Sequence, residues 1–207
     1  MIPDYHCLIA GEPVKSDRFV EVENPYDNTI VGRVSECNAA HTEKAIQSAL
    51  SSNSRLTRYE RFEVLDKTRR DLLSKKEEFA KLITSEAGLC MRETLYEVGR
   101  ACDVLQFSAM EALKDDGQIF SCDVSPQGKA RKIFTIREPL SAAVAITPFN
   151  HPLNQVAHKL GPAIAAGTPI ILKPSEKTPL TAIRLAELLY KNGLPGWMLS
   201  VVLGATA

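Results

Sequence analysis

The sequence has 207 residues, 44% hydrophobic and 24% charged, enough apolar content for one large domain, or a domain with an appendage, and too much for a disordered or fibrous chain. Lysine plus arginine equals aspartate plus glutamate at 25 each, so no global field draws the chain to nucleic acid or to an anionic bilayer. The five cysteines, Cys7, Cys37, Cys90, Cys102 and Cys122, are odd in number and lack metal-ligand spacing, which points to reduced cytoplasmic thiols and no metal site.

The start, MIPDYHCLIAGEP, has no basic stretch leading into an apolar core, and no later run approaches the length of a membrane span, so neither export nor insertion is expected. Residues 1 to 36 alternate apolar and polar groups around Gly11-Glu12-Pro13, Asn24-Pro25 and Asp27-Asn28, the pattern of short strands in a peripheral sheet. Helical spacing follows from His41 to Leu50 and from Tyr59 to Ala87. In the second stretch Phe62, Leu65, Leu72, Phe79, Leu82 and Ile83 form a face opposite one rich in Lys, Arg and Glu. Gly88 stops that pattern. A further helix is predicted from Glu93 to Leu113, with Leu95, Val98, Cys102, Leu105, Ala109 and Leu113 on one side, ending at Asp115-Asp116-Gly117. Residues 118 to 138 read as two strands joined by a turn from Ser125 to Gly128, and their alternation predicts one covered face.

From Ser141 the texture changes to continuous apolar strands, AAVAITP, PIILKP and MLSVVLG, separated by helices from Pro152 to Ala166 and from Pro179 to Asn192. Strands without alternation are those covered by helices on both faces, so this β-α-β-α-β segment predicts half of a parallel, doubly wound α/β sheet. Pro152 and Pro179 suit first-turn positions, Thr178 an N-cap and Gly193 a helix stop.

In such sheets ligands bind beyond the carboxyl ends of the strands, and polar residues stand at both relevant ends here. TPFNHP follows the first strand and places Asn150 just before a helix, where an amide can either cap the helix or stabilise a developing oxyanion. KPSEKTP follows the second and supplies Lys173, Ser175 and Glu176, an ammonium, hydroxyl and carboxylate that can pair among themselves or donate to and accept from a diol. With GLPGWMLSVVLG at 193 to 204, these form three ordered motifs. Together they resemble the NAD(P)-dependent aldehyde dehydrogenase superfamily, and the likeness extends over the whole chain.

That resemblance implies a Rossmann-like cofactor domain lacking the GxGxxG fingerprint, which is also absent here. It implies that Asn150 donates to the aldehyde oxygen as a thiohemiacetal forms, that Ile146, Thr147, Pro148 and Phe149 line the nicotinamide side of the NAD or NADP cleft, and that Lys173, Ser175 and Glu176 meet the adenosine ribose. It divides the chain into cofactor-domain strands and helices (1 to 117), an oligomerisation hairpin serving a homo-oligomer, dimer or tetramer (118 to 138), and the first half of the dinucleotide sheet (139 to 207). The basic run Gly128 to Lys132 lacks aromatic interleaving and does not suggest nucleic acid. The family's helix bordering the substrate tunnel corresponds to the one carrying Arg100. That arginine, with FNHPLN and FSCD, resembles the phosphonoacetaldehyde and lactaldehyde dehydrogenase-like branch. Arg100 and His151 would then bind an anionic group of a small aldehyde, such as a phosphonate.

The family's nucleophilic cysteine follows a glycine-glutamine pair, and its general-base glutamate sits in a leucine-glycine-glycine context; neither context occurs here. None of the five cysteines carries over to that role. The expectation is therefore an N-terminal portion of such an enzyme, truncated before its catalytic domain and inactive alone. The alternative is a noncatalytic paralogue acting as a binding or assembly module, whose half sheet ending at VVLGATA would expose an apolar edge.

Overall fold

The computed structural model describes residues 2–51, 55–114 and 117–204. Five short strands come first: β1 (Asp4–Tyr5), β2 (Leu8–Ile9), β3 (Glu12–Pro13), β4 (Phe19–Glu23) and β5 (Ile30–Ser35). Helices α1 (Ala39–Ser51), α2 (Arg58–Ser74), α3 (Lys76–Ala87) and α4 (Met91–Ala112) follow. A hairpin of β6 (Ile119–Phe120) and β7 (Ile133–Phe134) then leads into β8 (Ala143–Ile146), α5 (Pro152–Ala166), β9 (Ile170–Lys173), α6 (Leu180–Lys191) and β10 (Leu199–Val201).

The β-α-β-α-β reading holds: β8, β9 and β10 are parallel neighbours, with Ala143 opposite Ile170 and Leu199 opposite the same residue on the other side. The sheet they begin has the order β3-β2-β10-β9-β8, because β2 pairs antiparallel with β10 through Leu8 and Val201. Residues 8–13 thus leave the peripheral sheet expected of the N-terminal segment, which keeps only β1, β5 and β4. One consequence is that β10 is interior. The edge strand at this end of the sheet is β8, not β10. β10, β9 and β8 stand in the 3-2-1 order with which one half of a doubly wound sheet is built, and β8 has one edge unpaired among the described residues.

β9 and β10 carry buried side chains on both faces, as their unbroken apolar sequences predict, and α1, α5 and α6 pack against them. β8 departs from that expectation: Ala145 is buried but Val144 and Ile146 are exposed, so one of its faces is uncovered. The hairpin also differs. Ile119, at 91% exposure, and Phe134, Ile136 and Val124 all face outward, so neither side of β6–β7 is covered by the described residues.

The helical core is close to its sequence pattern. Leu65, Leu72, Phe79, Ile83, Val98 and Leu105 are fully buried, each contributing about 2 kcal/mol of transfer free energy. The Tyr59–Ala87 pattern is nevertheless two helices. The chain breaks at Lys75 (φ −104°, ψ 20°), where the Ser74 hydroxyl donates to the Asp71 carbonyl and competes with the helical ladder. Gly88 (φ 71°) closes α3 in the left-handed region that glycine tolerates. α4 and α5 meet at Gly161, where a Cβ would come within 2.6 Å of Ser108 Oγ, so only glycine permits this approach. α4 ends at Ala112; the acidic pair Asp115-Asp116 lies outside the described residues.

Candidate active site at the strand ends

β8 and β9 end side by side, Ile146 opposite Lys173, and each runs through a short loop into a helix. Three contacts tie those loops into one crevice wall. The Thr147 N–H donates to the Lys173 carbonyl (3.2 Å), and the Thr178 hydroxyl donates to the Phe149 carbonyl (3.4 Å). The Lys177 ammonium stands over the Phe149 ring, 5.0 Å from its centroid. Thr147 is buried beneath this wall, whereas Ile146 (69% exposed), Pro148, Phe149 (53%) and Asn150 are accessible. An apolar rim with one amide beside it results.

Asn150 is not a helix cap. The N-cap position of α5 is His151, which makes no side-chain cap bond, and the Asn150 side chain makes no hydrogen bond among the described residues. Glu97 of α4 does the capping instead: its Oε1 accepts the N–H groups of Leu153 (2.9 Å) and Asn154 (3.0 Å), and its Oε2 lies 3.3 Å from His151 Nδ1. Pro152 opens the helix without an N–H, so these are its first two amides. Arg100, one turn beyond Glu97, is exposed and has no ion-pair partner among the described residues. The structure brings His151 to Glu97 and not to Arg100.

At the end of β9, Lys173 Nζ lies 3.6 Å from Glu176 Oε2, with side chains 34% and 40% exposed. A pair this exposed and this long is worth at most about 1 kcal/mol, so the Lys173 ammonium can turn to a ligand hydroxyl at little cost. The Ser175 hydroxyl accepts the Lys177 N–H (3.3 Å), and so shapes the loop that presents them. Thr178, expected as the N-cap of α6, is displaced from that role by Glu86 of α3. The Glu86 carboxylate accepts the N–H groups of Leu180 (2.8 Å) and Thr181 (3.0 Å) and the Thr181 hydroxyl. Burial pushes the Glu86 carboxyl up to about 7, against the hydrogen bonds from Thr181 and Leu180 that pull it down.

Both glutamates escaped the sequence reading, although a signal existed. Glu86 falls three residues after Ile83 and Glu97 three after Thr94, each on the buried stripe of its helix, where a carboxylate needs partners.

All five cysteines are free. Burial pushes the Cys102 thiol up to about 11, and Cys7 is also raised, first by its hydrogen bond with Cys37 and then by burial. Cys37 is shifted in the opposite direction from Cys7 and Cys102. Its pairing with the Cys7 thiol, and then the Leu203 backbone, hold it down to about 7, because the chain before β2 and the residues after β10 converge on it. Among the described residues no group of three or more metal-ligating side chains occurs, and no helix is long and apolar enough to cross a membrane.

Residues 13–207 match the model of the aldehyde dehydrogenase family. The 3-sulfolactaldehyde dehydrogenase of Priestia aryabhattai is 40% identical over 204 residues, which is 98% of this chain but 43% of that enzyme. Aldehyde dehydrogenase 21 from Physcomitrella patens, solved with its reaction product succinate, superimposes with a TM-score of 0.93 at 32% identity, over 99% of this chain and 44% of that one. Betaine aldehyde dehydrogenase from Staphylococcus aureus, solved with NAD+, gives 0.89 at 30% identity, over 97% and 40%. The chain spans less than half the length of each of these relatives, and with a family model covering nearly all of its residues it belongs to the aldehyde dehydrogenase family.

Proposed function

We propose that this chain is the N-terminal portion of an NAD(P)-dependent aldehyde dehydrogenase that oxidises a small anionic aldehyde to its carboxylic acid. The observation that carries the reading is Asn150: its amide, at the carboxyl end of β8, has no hydrogen bond among the described residues, while the capping it could have done is performed by Glu97. An amide held there, with its donors unspent, suits a charge that appears only during reaction.

The crevice residues fit a nicotinamide dinucleotide. Lys173 can donate to a ribose hydroxyl and Glu176 can accept from one, and their mutual contact is loose enough to be exchanged. Ile146, Pro148 and Phe149 offer the exposed apolar surface against which a nicotinamide ring packs. When bound, the dinucleotide supplies the hydride acceptor. The protein's part is to orient the aldehyde, to donate from Asn150 Nδ2 to the oxygen that gains negative charge under thiolate attack, and to keep the two aligned. The resemblance assigns the nucleophilic cysteine and the general-base glutamate to motifs that this sequence does not contain.

An anionic substrate is supported by Arg100, an exposed guanidinium with no ion-pair partner among the described residues, on the helix whose Glu97 holds His151. Sulfolactaldehyde carries a sulfonate and succinate a second carboxylate, and phosphonoacetaldehyde offers the same oxyanion geometry to a guanidinium. The outward-facing hairpin, with Ile119, Phe134 and Ile136 uncovered, is the surface through which subunits would pair as a homo-oligomer in the cytoplasm.

The test is steady-state kinetics of the complete enzyme with Asn150→Ala. The expected result is a kcat lowered by about a hundredfold, with the cofactor KM changed by less than about threefold. An unchanged kcat would remove Asn150 from the chemistry and with it the basis of the reading.

A further inference from the structure

Asn150 owes its position to its backbone, because its side chain is tied to nothing among the described residues, and that backbone is gripped at two points. On one side the Phe149 carbonyl accepts the Thr178 hydroxyl at 3.4 Å, a long neutral bond. On the other side stands the Glu97 carboxylate, 2% exposed, with one oxygen on the Leu153 and Asn154 amides and the other 3.3 Å from His151 Nδ1. Hydrogen bonds to a carboxylate are about twice as strong as neutral ones. Glu97 therefore supplies the firmer of the two grips.

A helix N-terminus needs only a local cap, which Ser, Thr, Asp or Asn at the N-cap position provides from within the same turn. α5 has none: His151 occupies that position without capping, and the carboxylate arrives from a different helix. It also spans Pro152, touching the residue before it and the two after it. A carboxylate that only capped α5 would leave residue 151 untouched. This one locks the turn between Asn150 and the helix.

We infer that Glu97 is a positioning residue for the proposed reaction, fixing the His151-Pro152-Leu153 turn so that the Asn150 amide is presented to the crevice in one orientation. The inference rests on the oxyanion reading of Asn150. Glu97 does not meet the substrate, since its oxygens are buried and occupied by backbone amides and an imidazole. Its effect on catalysis passes through Asn150.

The test is a double-mutant cycle in the complete enzyme, with Glu97→Ala and Glu97→Gln each made in the parent and in Asn150→Ala, and folding followed by circular dichroism and melting. In the parent, Glu97→Ala lowers kcat by about tenfold or more and leaves the cofactor KM nearly unchanged. Glu97→Gln keeps an oxygen for the two amides and restores kcat to within about threefold of the parent. In the Asn150→Ala background, Glu97→Ala changes kcat by less than about twofold, because the group it positions is gone. Equal losses in both backgrounds, or no loss in the parent, overturn the inference while leaving the oxyanion reading intact. Full kcat in Asn150→Ala alone overturns that reading, and this inference with it. If Glu97→Ala does not fold, Glu97→Asp, one methylene too short to hold both sides of Pro152, must show the same background-dependent loss, and equal losses there overturn the inference.

Discussion

At Cys37 a neighbour changes what a thiol can do. The Cys7 thiol and the Leu203 backbone both favour the thiolate, so ionisation near 7 is expected where an ordinary cysteine ionises near 8.5. Alkylation at Cys37, followed by mass spectrometry of its peptide, should therefore rise through about pH 7, while Cys7 and Cys102 stay protected in the folded protein. Replacing Cys7 with Ala should move the Cys37 inflection upward, and an inflection that stays where it was contradicts the account. This character was illegible in the sequence because it depends on the meeting of β2, the end of β5 and the chain after β10. Asn150 was legible for the opposite reason: strand, proline, asparagine, proline and helix are adjacent in sequence, so local order alone places the amide.

The helices show the same division between local and remote causes. Periodicity and Pro152 predicted α4 and α5 closely, since a buried stripe and a first-turn proline are properties of one segment. The caps of α5 and α6 were not legible, because Glu97 and Glu86 reach them across 56 and 94 residues of chain. The break at Lys75 was missed because apolar spacing continues through it.

Glu86 adds a pH signature. Its carboxyl is raised from 4.5 to about 7 in the fold, so the folded state holds a proton that the unfolded chain releases. The corresponding stability is fully present below about pH 4.5 and is lost as pH rises through about 7. Unfolding in denaturant should show a loss on the order of 2 kcal/mol between pH 5 and pH 8 that is absent in Glu86→Gln, whose neutral amide cannot ionise. The same slope in both proteins would contradict the cause assigned to the shift.

Over the whole molecule, the parallel β8-β9-β10 unit follows from three unbroken apolar strands alternating with helices, and the family motifs lie on it. The sheet's far side was less legible, since β2 is two residues long and only its pairing with β10 recruits it. Among the apolar surfaces left uncovered are the open face and edge of β8 and the outward residues of β6–β7. Surfaces of that kind drive association. Sedimentation of the 207-residue chain should show oligomers or aggregates, and Ile119→Lys with Phe134→Lys should shift it toward monomer. A monodisperse monomer at micromolar concentration would contradict this assignment of the hairpin.

The claim on which the rest depends is that the crevice beyond β8 and β9 holds the dinucleotide. Calorimetric titration of NAD+ and NADP+ into the complete enzyme, parent against Lys173→Ala, tests it most directly. The account predicts a Kd weakened about tenfold for the preferred cofactor, the loss of one charge-assisted hydrogen bond, at unchanged melting temperature. A Lys173→Ala enzyme that binds either cofactor as tightly as the parent would place the dinucleotide elsewhere and contradict the account.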